Sequence, residues 1–130
     1  MTKTVTYNPP GTEWMERDFQ MSPAIHIGGL VWLSGVGVLP QPGEAVESAF
    51  NRGFVTIQEI LNAAGLDWNN VVDLTTLHVD LPSQREAILK TKNQFITRKP
   101  YPAWTAIEVK GLWLPELIAE FKVVASADKV

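Results

Sequence analysis

An α+β fold is predicted for this chain, on three observations. Strand-like segments outnumber helix-like ones. The first three strands follow one another without a helix between them, and the two helical segments come later, each leading into a strand. The element order β-β-β-α-β-α-β-β predicts a mixed sheet with both helices on one face.

Each element has a local reason. The first strand is short, around Lys3–Tyr7, because Pro9-Pro10-Gly11 and Pro23 make residues 7–23 irregular. Ala24–Ile27 and Leu30–Ser34 are β-prone runs joined by Gly28-Gly29, a pair suited to a two-residue turn with positive φ. Gly35–Gly43, with Pro40 and Pro42, reads as a loop. Over residues 44–64, Val46, Phe50, Phe54, Ile57, Leu61 and Ala64 recur at steps of three and four, which predicts a helix with one apolar stripe. Gly65 is its expected C-terminal cap. Val71–Val79 is β-branched and reads as a strand. A second helix starts after Pro82, where Ser83 and Glu86 have capping-box spacing, and runs to about Thr97 before Pro100 and Pro102 break it. Ala103–Val109 and Ile118–Ala125 are the last strands, separated by Gly111 and Pro115.

A single helix layer leaves the other sheet face needing cover. Trp32 and Trp104 are candidates for that face, and five tryptophans in so short a chain point to a subunit interface or to the monomer core. The chain is read as one domain over residues 1–130, without internal repeats, and its 45% hydrophobic content excludes disorder. With no cysteine, disulfides, thiolate nucleophiles and Cys-ligated metals are excluded. A net charge of −3 argues against nucleic acid or an acidic membrane as partner. No apolar run approaches the ~20 residues of a membrane span, and the polar start Thr2-Lys3-Thr4 lacks a signal-peptide core. The expectation is a soluble cytoplasmic protein.

The search for chemistry removes most candidates. His26 and His78 lie on separate strands, with no metal-ligand spacing near either, and read as ordinary, partly exposed histidines; no metal or cofactor is expected. Leu33-Ser34-Gly35-Val36-Gly37 fails as a nucleophile elbow, because Trp32 stands where a glycine is needed. Gly35-Val36-Gly37 also fails as a dinucleotide fingerprint, lacking a third glycine and a helix start. Lys90, Lys92, Arg98 and Lys99 gather late in the second helix, where the macrodipole favours cations. Glu120 is more informative. Alternation along the last strand puts it on the face of Ile118 and Val124. A carboxylate among apolar side chains either pairs with a cation such as Lys122 or Lys110, or serves in acid–base chemistry.

Three segments, in order, resemble the reactive intermediate deaminase (Rid, YjgF-like) family. The first is Ser22-Pro23-Ala24 leading to Val31-Trp32-Leu33-Ser34-Gly35. The second is Ile60-Leu61-Asn62-Ala63-Ala64-Gly65-Leu66, with Val71-Val72 and Thr75 after it. The third is Tyr101-Pro102-Ala103-Trp104-Thr105-Ala106-Ile107-Glu108-Val109, followed by Leu117–Ala125. Together they cover about residues 20–125. The resemblance implies a chorismate-mutase-like mixed sheet and a homotrimeric barrel with three pockets between subunits. It also implies cofactor-free hydrolysis of reactive enamines and imines, with an arginine holding the substrate carboxylate and a last-strand glutamate orienting water.

This chain departs from that pattern in one direction. Trp104 stands at the arginine position, Met21 at an aromatic tyrosine, Val36 at a glutamine, and Ile88 near a helix asparagine, while Glu120 matches the glutamate and Ser34 the pocket serine. The resemblance therefore implies a divergent enzyme with Glu120 and Ser34 as catalytic residues. Trp104, Met21, Val36, Ile88 and Ala106 would line a site for a neutral cyclic or aromatic small molecule, undergoing hydrolysis, deamination or tautomerisation. The alternative is a non-catalytic trimer that binds a metabolite or a partner protein. An RNA-cleaving role fits the net charge least.

Overall fold

The computed structural model describes residues 3–128. Seven strands and three helices follow in the order β1 (Val5–Tyr7), α1 (Glu13–Phe19), β2 (Ala24–Ile27), β3 (Leu30–Leu33), β4 (Val36–Val38), α2 (Val46–Ala63), β5 (Val71–His78), α3 (Leu81–Phe95), β6 (Ala103–Glu108) and β7 (Ala119–Ser126), with a single 3-10 turn at Trp68–Asn70. The sheet runs β1-β2-β3-β7-β5-β6, and β4 also pairs with β7. Pairing is antiparallel except between β5 and β6, which α3 connects as a crossover. The mixed α+β sheet expected from the sequence is present.

β7 organises the molecule. β4 pairs with its first half (Val36↔Phe121) and β3 with its second (Trp32↔Val124), while β5 runs along its other edge. Alternation turns Ala119, Phe121, Val123 and Ala125 inward, all fully buried. Phe50 and Phe54 of α2 meet Phe121 at ring separations of 5.4 and 4.5 Å, and Phe54 stacks on Phe95 of α3 at 5.3 Å. Both long helices thus cover one sheet face.

Two elements differ from expectation. Residues 7–23 contain α1, which buries only Met15 and is tied at its start by Glu13, whose carboxylate accepts from the Gly11 amide. The Gly35–Gly43 loop contains β4, whose order comes from pairing with β7 rather than from its own glycine-rich sequence. Smaller corrections concern ends. The strand over 71–78 stops at His78, and α3 begins at Leu81, whose amide donates to the Glu108 carboxylate of β6 at 3.0 Å instead of to a capping box. Gly65, at φ +76°, closes α2 in a Schellman motif: its amide donates to the Asn62 carbonyl and that of Leu66 to the Leu61 carbonyl. The Gly28-Gly29 turn forms as expected, with φ +62° at Gly28.

The uncovered face carries Ile25, Ile27, Leu30, Trp32, Val72 and Ile107, each at least 36% exposed. Trp104 is not among them. Its register with Leu74, and that of Ala106 with Thr76, place both on the helix-bearing face.

Candidate functional site

Glu120 projects from the open face of β7, with Gly37 as register partner on one side and Leu77 on the other. Gly35 lies directly against it: a Cβ there would stand 2.5 Å from Glu120 Oε2 and 2.8 Å from Cδ. Only glycine leaves room for the carboxylate in this position. Neither expected cation pairs with it. Lys122 donates to the Leu33 carbonyl at 2.9 Å, and among the described residues the Glu120 carboxylate has no ion pair and no hydrogen bond.

Ser34 holds the adjoining backbone. Its hydroxyl donates to the Ser22 carbonyl at 2.6 Å and its amide to the Pro23 carbonyl at 3.0 Å. The segment after α1 is thereby fastened to the residue before Gly35, directly after half-buried Met21. The Ser34 hydroxyl proton is committed to Ser22, so toward a ligand Ser34 offers oxygen lone pairs.

Three aromatic residues gather where α1 meets the 110–117 loop. Phe19, two residues before Met21, meets Trp14 edge-on at 5.7 Å and Trp113 edge-on at 5.9 Å. Trp113 is 76% exposed, and its loop returns through Leu117, whose side chain packs over Gly37, the register partner of Glu120. Nothing local in the sequence announces this trio. The aromatic content was visible, but α1 and the 110–117 loop approach each other only through tertiary structure.

The other expected residues lie elsewhere. Val36 and Ile88 are core side chains, 9% and 1% exposed, on the helix-bearing side. Trp104 sits at the edge formed by β6 and α3, where it lines a hollow of about 580 Å³ with Lys92, Asn93, Thr97 and Tyr101. The Lys92 ammonium stands over the indole at 4.5 Å and donates to Asn93 Oδ1 at 2.8 Å, and burial lowers its pKa from the ordinary lysine value. Within one protomer Glu120 lies against Gly35, the neighbour of Ser34, and Ser34 holds Ser22, the neighbour of Met21. Trp104 and Ala106 do not join them, because they belong to the opposite sheet face.

His78 corrects the expectation of a partly exposed histidine. It is fully buried between Thr76 Oγ1, 2.9 Å from Nε2, and Gln84 Oε1, 2.8 Å from Nδ1. Desolvation lowers its pKa, opposed by the Gln84 hydrogen bond. The described residues hold no group of three His, Cys, Asp or Glu able to bind a metal ion, and no helix long and apolar enough to cross a membrane.

A mixed sheet with two long helices on one face and a carboxylate on the other makes this an α+β protein with the architecture of YjgF-family structures. The family model described as Endoribonuclease L-PSP matches residues 16–127, and the chain belongs to this YjgF/Rid family. It is 32% identical over 130 residues to RutC family protein YjgH of Escherichia coli (strain K12), covering 96% of each chain. It is also 35% identical over 99 residues to Reactive Intermediate Deaminase A, chloroplastic, of Arabidopsis thaliana, covering 70% of this chain and 50% of that protein. A Mycobacterium tuberculosis structure titled as a member of the YjgF/YER057c/UK114 family superposes with a TM-score of 0.81 at 22% identity, over 95% of this chain and 99% of that one.

Proposed function

We propose that this chain is a divergent Rid-family enzyme of the cytoplasm, acting without cofactor on a neutral cyclic or aromatic imine-like small molecule, with Glu120 as acid–base residue. The observation that carries this is the Glu120 carboxylate itself. It is held against Gly35, and Lys122 is turned away to a carbonyl. Such a group is available to take a proton from water as the oxygen adds to the imine carbon and to pass it to the imine nitrogen, giving a carbinolamine. It then moves the carbinolamine hydroxyl proton to that nitrogen as the C–N bond breaks. Hydrolysis then gives a carbonyl compound and an amine, with the carboxylate unchanged.

The remaining residues favour a ring over an amino-acid anion. The arginine of the family pattern is Trp104, and Arg17 and Arg52 are bound by Asp18 and Glu44. Lys92 spends its charge on the Trp104 face and Asn93, and no guanidinium is among the residues that line the hollow beside Trp104. Trp14, Phe19 and Trp113 form an exposed aromatic cluster where α1 meets the 110–117 loop.

The proposed active unit is a homotrimer. The apolar open face supplies the contact, and a neighbouring subunit would bring its Trp104 edge to Glu120. Nucleic acid is no part of this reading: Lys90 pairs with Glu47, and Lys92 and Lys99 stand over Trp104 and Tyr101.

The test is hydrolysis of a neutral benzylidene imine, followed by benzaldehyde absorbance, beside imines generated from amino acids by an amino-acid oxidase. The neutral imine is expected to react faster than in buffer, the anionic ones at the buffer rate. Glu120→Gln should lower turnover by about two orders of magnitude while the fold persists. Binding of aromatic probes without turnover would replace the enzyme by the metabolite-binding reading.

A further inference from the structure

Behind Trp104 runs a chain of buried hydrogen bonds that reaches from β6 through β5 to α3. The indole Nε1–H donates to Thr76 Oγ1 at 3.1 Å. Thr76 Oγ1 lies 2.9 Å from His78 Nε2, His78 Nδ1 lies 2.8 Å from Gln84 Oε1, and Gln84 Nε2 donates to the Ile118 carbonyl at 3.2 Å. Thr76 and His78 are fully buried, and Gln84 is 4% exposed.

The chain has one consistent direction. A carbonyl can only accept, so the amide nitrogen of Gln84 faces Ile118 and its oxygen faces His78. Nδ1 therefore carries the proton, and Nε2 is left as an acceptor. The Thr76 hydroxyl must then donate to Nε2, which leaves its oxygen lone pairs for the indole N–H. Each side-chain nitrogen and oxygen of the network has at least one partner, the condition under which a buried polar network fixes a unique geometry. Trp104 needs such a device, since it stands on an edge strand, 36% exposed, with a hollow on one side.

We propose that Thr76 and His78 are positioning residues that lock the Trp104 indole in one orientation, drawing its N–H inward so that a ligand meets only the ring. This rests on the reading that Trp104 touches substrate, and it makes that contact selective. A planar apolar ring is accepted along the indole, whereas an acceptor atom placed there gains no donor from the indole itself.

The experiment labels the tryptophan indole nitrogens and follows each Nε1–H by NMR, with Trp104 assigned by its loss in Trp104→Phe. In the wild type this proton should exchange with solvent more slowly than that of exposed Trp113. Thr76→Val should speed its exchange at least tenfold and shift its resonance, and Thr76→Ser, which keeps the hydroxyl, should restore both. If the valine variant does not fold, His78→Asn, which leaves Thr76 and Trp104 in place, should still move the Trp104 signal. Long-range nitrogen spectra of the wild type should show His78 protonated on Nδ1. With the neutral imine, Thr76→Val should raise KM severalfold and leave kcat nearly unchanged. An unmoved Trp104 signal in the variants, or protonation of His78 on Nε2, would overturn the assignment. Because the NMR readouts need no turnover, a failure of the proposed activity remains distinguishable from a failure of the relay.

Discussion

At the scale of single residues, Glu120 depends on the absence of a side chain at Gly35. A methyl there would press on Oε2 and Cδ, which form the flexible end of the glutamate, so the carboxylate can swing aside at little cost to the fold. Gly35→Ala should therefore melt close to the wild type, yet turn over the neutral imine at least tenfold more slowly. Combined with Glu120→Gln it should add almost nothing, since both changes act on one group. His78 makes a second residue-scale prediction. Its proton affinity is lower in the folded state than the unperturbed value near pH 6.5. The unfolded chain thus binds the proton more readily, and stability present above about pH 6.5 is lost as pH falls toward the folded value. Urea midpoints should drop between pH 7 and pH 5, and that drop should shrink in His78→Asn. Glu44 does not confuse this window, because Arg52, the Gln41 amide and Ser48 hold its carboxyl down at about 2. Sequence showed the face of Glu120 correctly, because alternation along one strand is local. It could not show the burial of His78, whose partner Gln84 lies on the next helix.

At the scale of elements, the legible parts were those with local punctuation. The stripe of α2, the Gly65 cap and the Gly28-Gly29 hairpin follow from residues within a turn or two of each other. β4 and α1 were illegible for the opposite reason. Three residues around Gly37 become a strand only because β7 offers its edge, and α1 buries a single side chain. The face of Trp104 was equally hidden, since parity between parallel strands is set by the α3 crossover and not by the sequence of β6. Two glycines separate the forces at work in α2. Gly53 faces the sheet, where a Cβ would stand 3.0 Å from Phe121 and 3.1 Å from Val38. Alanine there gains about 1 kcal/mol of helix propensity but overpacks a closed core, at a cost of about 1–3 kcal/mol. Overpacking should win, and Gly53→Ala should melt a few degrees lower. Gly65 has open space around it, and its constraint is purely its φ of +76°. Gly65→Ala should destabilise by about 1 kcal/mol through backbone strain alone, and Gly65→Asn by less, as thermal melts would show.

At the scale of the whole molecule, the helices protect one sheet face and leave the other with a row of exposed Ile, Leu, Val and Trp side chains. Such a row is costly in water and favours association. Light scattering should give three times 14.4 kDa, and Trp32→Asp, at the middle of that face, should lower the mass. On the proposed function association would also have a catalytic meaning, because Glu120 and Trp104 occupy opposite sheet faces of one protomer. A site using both must draw Glu120 from one subunit and Trp104 from its neighbour. Glu120→Gln and Trp104→Ala trimers should each be nearly inactive alone. Unfolded together in equal amounts and refolded, they should regain activity. A site is intact when a subunit with native Glu120 faces one with native Trp104, which random assembly in a cyclic trimer produces at about one site in four. Turnover near a quarter of the wild type would establish shared sites. If each subunit held its own complete site, every subunit in the mixture would carry one lesion and no activity would return.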